Sequence, residues 1–240
     1  FGLSPDEVDS VVGPVMGRPN SATFRTLDLI GLDVHAAICE NTQGYVHESA
    51  EKEAFEVPGY FKEMIKRGWT GEKAGQGFYK RVQKDSSNEI HVIQTDTLKY
   101  RYRRHLQVAS LSAALEKNEL TERLETLMNA DDVVGCFVWR TLSRVLAYAA
   151  QKVGEISDDI SGIDRAMRWG FGWEMGPFET WDSLGVNRVV MRMELDGITV
   201  PDWVKVLAKD GRMFYRLENG QLHQAMPLGG YAWVPESLTD

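Results

Sequence analysis

GRPNSATFRTLDLIGLD (residues 17–33) and GWEMGPFETWDSLGV (residues 172–186) together decide how this chain is read. Phe24 pairs with Phe178, Thr26 with Thr180, Asp28 with Asp182 and Gly31 with Gly185, each pair 154 positions apart. Upstream, Asp9 pairs with Asp164 and Gly17 with Gly172 at a spacing of 155, so one residue is inserted between. Downstream, PGYFKEMIKRG (58–68) aligns with PDWVKVLAKDG (201–211), and GFYK (77–80) answers MFYR (213–216). A shared order of so many residue types marks an internal repeat. The expected organisation is two homologous helical halves, about 1–85 and 119–226, joined by a connector over 86–118 and followed by a linker over 227–240.

The elements follow from periodicity. Phe61, Met64 and Ile65 share one helical face, and Gly68 sits where a C-terminal glycine belongs. Ser4-Pro5-Asp6-Glu7 starts a helix with a cap residue, a first-turn proline and acids beside the positive end of the helix dipole. In the second half, helices are expected over 118–130 with an Asn cap, over 131–156, over 157–170 and over 176–186. The connector contains alternating residues that fit a strand or hairpin. Its basic cluster, Arg101-Tyr102-Arg103-Arg104, reads as solvated surface.

GWTGEKAGQGFYK (68–80) crowds four glycines around Lys73 and raises the question of a phosphate loop. Lys73 follows Glu72, no Ser or Thr follows it, and a helix rather than a strand precedes it. Neither the nucleotide loop nor the dinucleotide fingerprint is satisfied, and a tight turn needing positive φ is expected.

Composition narrows the classes. The chain has 240 residues, a net charge of −8 and two cysteines, Cys39 and Cys136. The acidic balance disfavours nucleic acid, including a helix-turn-helix reading, and anionic membrane. No disulfide framework, zinc spacing or metal-ligating histidine pattern is present, and a reducing, cytoplasmic setting is expected. No apolar run approaches the roughly 18 residues of a membrane span. Phe1 opens the chain without a methionine, which reads as a start within a longer polypeptide.

GPFETWDSLG (176–185), its variant SATFRTLDLIG (21–31) and GWTGEKAGQGFYK (68–80) resemble the C-terminal region of the 3-hydroxyacyl-CoA dehydrogenases. The resemblance runs over nearly the whole chain. It implies an all-α fold of two duplicated helical bundles, similar to the C-terminal part of 6-phosphogluconate dehydrogenase, with a small extended connector. It implies the bacterial multidomain type, in which an enoyl-CoA hydratase-like domain is joined on, and makes ENGQLHQAMPLGGYAWVPE (218–236) a linker toward that domain. The activity implied is NAD-dependent oxidation of the 3-hydroxyl of an acyl-CoA in fatty-acid β-oxidation. NAD and the catalytic histidine and glutamate would belong to a preceding Rossmann domain, so no catalytic residue and no cofactor is expected in this chain. It would be inactive alone, serving substrate binding and homodimerisation.

Several residues acquire readings from that resemblance. Arg18, Pro19, Ser21, Ala22 and Phe24 would line the substrate side of the cleft. Arg18 and Arg25 either attract the anionic CoA or form local salt bridges. Asp28 and Asp182 serve in acid–base chemistry or, better supported, in capping and packing. Lys73 is a CoA contact or a surface lysine. Trp139 stands where the family's asparagine would fall in the second half, which makes that half catalytically idle. The alternative is a stand-alone helical interaction module without catalysis.

Overall fold

The computed structural model describes residues 1–84 and 87–235. Asp85, Ser86 and residues 236–240, at the edges of the expected connector and linker, lie outside the described residues. The chain forms two compact units: residues 1–13 with 20–106, and residues 14–19 with those from 107 onward.

The first unit begins with α1 (Pro5–Val12), where the backbone N–H of Ser4 donates to the Glu7 carboxylate at 2.8 Å. Helices α2 (Phe24–Ile30), α3 (Leu32–Tyr45), α4 (Ser49–Ala54) and α5 (Gly59–Lys66) follow. Strands β1 (Tyr79–Lys84), β2 (Ser87–Gln94) and β3 (Lys99–Tyr102) make an antiparallel sheet in that order. The stretch read as a connector therefore holds two strands of this sheet. Leu32, Met64, Phe78 and Ile93 are fully buried in one core shared by helices and sheet. Arg101 of the basic cluster is not merely solvated: its guanidinium grips the buried Asp6 at 2.8 and 2.9 Å, fastening β3 to α1.

The second unit holds α6 (Ala109–Leu115), α7 (Leu120–Met128), α8 (Val133–Gln151), α9 (Ile160–Arg165), α10 (Pro177–Leu184), α11 (Val186–Leu195) and α12 (Asp202–Lys209). The cap of α7 is Glu119, one residue later than expected. Asp132 caps α8, accepting from the N–H groups of Val134 and Gly135. α8 is long and apolar enough to cross a membrane by length and composition, contrary to the sequence reading. Val134, Val138, Leu142 and Leu146 are nevertheless buried among the other helices, as befits a core helix.

The all-α expectation needs correction. Strands β4 (Tyr215–Glu218), β5 (Gln221–Ala225) and β6 (Tyr231–Trp233) form a second antiparallel sheet, with β4 at the end of the expected helical repeat and β5 and β6 in the stretch 218–236 expected as a linker. Asn219-Gly220 turns β4 into β5, with φ of 52° and 79°. An Asn-Gly pair between short alternating runs is a hairpin signal, because both positions must take positive φ.

The glycine stretch 68–77 answers its question here. It carries the chain from α5 to β1 and folds over Asp28. Gly71 (φ 108°) and Gly75 (φ 71°) take left-handed backbone conformations. Gly77 does not, but a Cβ there would lie 2.0 Å from the Asp28 carboxylate oxygen. The glycines thus make room for a carboxylate of the chain itself. Gly77→Ala should cost about 2–4 kcal/mol of unfolding free energy, measured by urea denaturation, because the buried Asp28 cannot retreat. A loss below about 0.5 kcal/mol would contradict this close fit.

Candidate functional site

Two buried carboxylates organise the first unit. Asp9, from α1, accepts the N–H groups of Thr23, Phe24 and Arg25 at 2.7–3.0 Å, so it caps α2 from outside that helix. Asp28, in the last turn of α2, accepts the N–H groups of Phe78 and Tyr79 at 2.7 and 2.8 Å. The Tyr79 hydroxyl then donates back to Asp9 at 2.7 Å. Helix α1, helix α2 and strand β1 are closed into a ring of hydrogen bonds. Phe78, beside it, packs on the rings of Phe24 (4.6 Å between centroids) and Phe61 (5.7 Å).

The second unit builds the same arrangement. Asp164 accepts from the N–H groups of Phe178 and Glu179 at the start of α10. Asp182 accepts from those of Phe214 and Tyr215. The Tyr215 hydroxyl donates to Asp164 at 2.8 Å. Phe214 packs on Phe178, Trp181 and Trp203. No glycine stretch is needed here; Met213 stands where the first unit has Gly77. Burial raises all four carboxyls despite these donors: Asp28 and Asp182 to about 6, Asp164 to about 7, and Asp9 above its ordinary value. Tyr79 and Tyr215 are raised by burial and by the carboxylate each faces.

The geometry explains the roles of the other singled-out residues. Asp28 and Asp182 hold backbone, so packing rather than acid–base chemistry accounts for them. Arg25 pairs with Glu72, and Lys73 pairs with Asp33 at 2.7 Å on the surface. Trp139 donates its indole N–H to Asp196 and lies under the Arg192 guanidinium at 4.0 Å, a packing role. The five residues expected at the substrate side are divided between the units. Ser21, Ala22 and Phe24 belong to the first: the Thr26 hydroxyl lies 2.9 Å from the Ser21 hydroxyl and 2.7 Å from the Ala22 carbonyl, and Ala22 holds a strained φ of 49°. Arg18 and Pro19 belong to the second. There Pro19 sits against Gly172, and the Arg18 guanidinium stacks over the Trp173 indole at 4.2 Å. No carboxylate pairs with Arg18 among the described residues, and burial lowers its pKa to about 10.

Sequence reasoning found Asp28 and Asp182 but missed the ring that Asp9, Asp164 and the two tyrosines complete. It also missed a cavity of about 410 Å³ beside the Asp9–Tyr79 pair, rimmed by Arg25, Lys80, Arg81 and Arg103. The repeat held the signal, because Asp9/Asp164 and Tyr79/Tyr215 are repeated pairs far apart in the chain.

The family model for the 3-hydroxyacyl-CoA dehydrogenase C-terminal domain matches residues 2–81 and 135–223, more than half of the chain. The chain belongs to this family. It is 42% identical over 220 residues to a "Probable 3-hydroxyacyl-CoA dehydrogenase" of Bacillus subtilis (strain 168), an alignment covering 91% of this chain and 27% of that protein. A protein of the same name from Deinococcus radiodurans is 40% identical over 36% of this chain and 24% of its own. A Rickettsia felis protein, provisionally named a fatty acid oxidation complex trifunctional enzyme, is 26% identical over 82% of this chain and 26% of its own. The chain therefore spans about a quarter of the length of the curated relatives it matches.

Dehydrogenases of this family use NAD, and the described residues do not fit it. Both sheets are antiparallel and three-stranded, so no strand–glycine turn–helix crossover is available for a pyrophosphate. The glycine-rich turn between α5 and β1 is filled by Asp28. Among the described residues no cluster of His, Cys, Asp and Glu is placed to hold a metal ion.

The raised carboxyls set a pH dependence. Each has a folded pKa above its unfolded value near 3.8, so the folded state binds more protons between the two values. Their contribution to stability is full below the unfolded pKa and is lost as pH rises through about 6 to 7. The melting temperature should therefore rise as pH is lowered from about 8 to about 5, and Asp164→Asn should flatten that slope. A melting temperature that falls steadily over the same interval would refute the assignment.

Proposed function

We propose that this chain is the substrate-facing helical part of an NAD-dependent 3-hydroxyacyl-CoA dehydrogenase acting in fatty-acid oxidation. NAD and the reacting acid–base pair are supplied by a Rossmann domain outside these residues. The two units are a duplication, with the second retained for structure. Further domains of the hydratase type are its expected companions, in keeping with the name of the Rickettsia relative, and self-association through the helical units accompanies them.

The observation that carries this reading is Arg18. A half-buried guanidinium without a carboxylate partner among the described residues keeps its charge for something else, and stacking on Trp173 fixes its plane. An acyl-CoA brings the phosphates such a group would hold. In this reading the turn bearing Ser21, Ala22 and Phe24 in the first unit contributes shape and apolar surface on the acyl-thioester side. The ring around Asp9 and Asp28 fixes that turn, because Phe24 and Arg25 are anchored by their backbone N–H groups.

The test measures NADH formation by absorbance with 3-hydroxybutyryl-CoA and NAD. The 240-residue chain should show no turnover. The same chain joined to the remaining part of the Bacillus relative should turn over, and Arg18→Gln there should raise KM about tenfold with kcat little changed, a loss of ~1.4 kcal/mol in uniform binding. Turnover by the chain alone would move the catalytic residues into it. An unchanged KM in Arg18→Gln would remove Arg18 from the substrate site. A joined protein that folds but never turns over would favour the interaction-module reading.

A further inference from the structure

Helix α3 of the first unit is apolar on two sides. One side, with Leu32, Ala36 and Cys39, is buried in the core of the unit. The opposite side carries Val34 and Ile38, one turn apart, and Leu29 and Ile30 end α2 just before it. These four residues are between 43% and 55% exposed. A helix apolar on more than one side is ordinarily held between two layers. Among the described residues this second side of α3 is left open.

The second unit covers the same place. At the repeat spacing of 154, Leu29, Ile30, Val34 and Ile38 correspond to Ser183, Leu184, Arg188 and Arg192. The turn between the two helices is alike, with Gly31 at φ 103° and ψ 127° and Gly185 at φ 85° and ψ 105°. There α10 packs on α7 and α8, and Leu184 is 1% exposed. Arg188 donates to the Glu125 carboxylate of α7 at 3.0 Å, and Arg192 donates to the Met128 carbonyl of α7 at 2.6 Å. The Arg192 guanidinium also lies over the Trp139 ring of α8. These two covering helices are the stretch of chain directly ahead of α9, and α9 matches α1 through the pair Asp164 and Asp9. The first unit has valine and isoleucine in place of the two arginines. A carboxylate or carbonyl brought against Val34 and Ile38 would lose water without gaining a donor, so the cover that fits there is apolar.

We propose that the α2–α3 face of the first unit seats an amphipathic helical segment of the same protein, from outside these 240 residues, in the place that α7 and α8 hold in the second unit. The segment turns apolar side chains at helical spacing toward Ile30, Val34 and Ile38 and keeps its polar side outward. Two observations name this source. The repeat puts the covering helices immediately ahead of the repeated part, and the chain spans about a quarter of the length of the relatives it matches. The proposal rests on a longer polypeptide of the kind those relatives are, but not on dehydrogenase activity.

The test is binding in trans. The probe is a fluorophore-labelled peptide from the Bacillus subtilis relative, copying the segment on the N-terminal side of the aligned region and equal in length to residues 120–159 here. It is titrated with the 240-residue chain and followed by fluorescence anisotropy. Saturable binding is expected, and Val34→Arg with Ile38→Arg should weaken it at least about tenfold. The second unit already carries arginine at both matching positions, so the helix accepts the pair, and a melting curve by circular dichroism verifies that the variant is folded. Ile38→Gln, a milder change at an exposed position, should weaken binding about threefold. Met191→Arg, on an exposed apolar residue of α11, should leave binding unchanged. No turnover enters this readout, so its failure is distinct from failure of the NADH test. No binding at high micromolar concentration of the chain overturns the proposal. So does full affinity in the Val34 and Ile38 variants, or an equal loss in Met191→Arg. A chain that sediments as a dimer, and as a monomer once Val34→Arg and Ile38→Arg are introduced, assigns the face to a second copy and overturns it as well.

Discussion

A buried carboxylate that accepts backbone N–H groups from an element distant in the chain is the constraint on which each unit is built. Asp9 and Asp164 hold the first turn of a helix; Asp28 and Asp182 hold the first residue of a strand and the residue before it. Burying a carboxylate is costly unless its oxygens are satisfied, and each hydrogen bond to a charged acceptor offsets about 1.5–3 kcal/mol of that cost. The arrangement is therefore close to all-or-none. A shifted helix would leave both a buried charge and several amides unpaired, so α1, α2 and β1 have little freedom to move independently.

That rigidity has a second effect. The tyrosine that closes each ring also forms part of a cavity wall, so a surface concavity is fixed by the same bonds that fix the core. The two units share this framework and differ in what surrounds it. Leu27 and Tyr60 of the first unit correspond to Trp181 and Trp203 of the second, and Arg25 corresponds to Glu179. Aromatic packing against Phe78 or Phe214 tolerates such exchange because volume and apolarity matter more than identity. The carboxylates tolerate none of it within this pair of units, since only an acceptor of that reach satisfies two amides at once.

The glycine stretch illustrates how one composition can serve opposite ends. Glycines beside a lysine suggest a backbone cradle for an anion supplied from solution. In the first unit the anion is Asp28, supplied by the chain, and Lys73 has turned outward to Asp33.

Much of the fold was legible in the sequence. Helical periodicity placed α5 and α8, the Ser4–Glu7 pattern placed the start of α1, and the repeat identified Phe78 and Tyr79 with Phe214 and Tyr215 as matched core positions. Local pattern sufficed there because an amphipathic helix and its cap are specified within about one turn. The second sheet was missed, although Asn219-Gly220 carried a hairpin signal, because its strands are only three to five residues long and two are half exposed. The partners of Asp9 and the closing of the ring were decided by tertiary structure alone. A carboxylate's role depends on which donors reach it, and those donors lie 14 to 70 residues away along the chain.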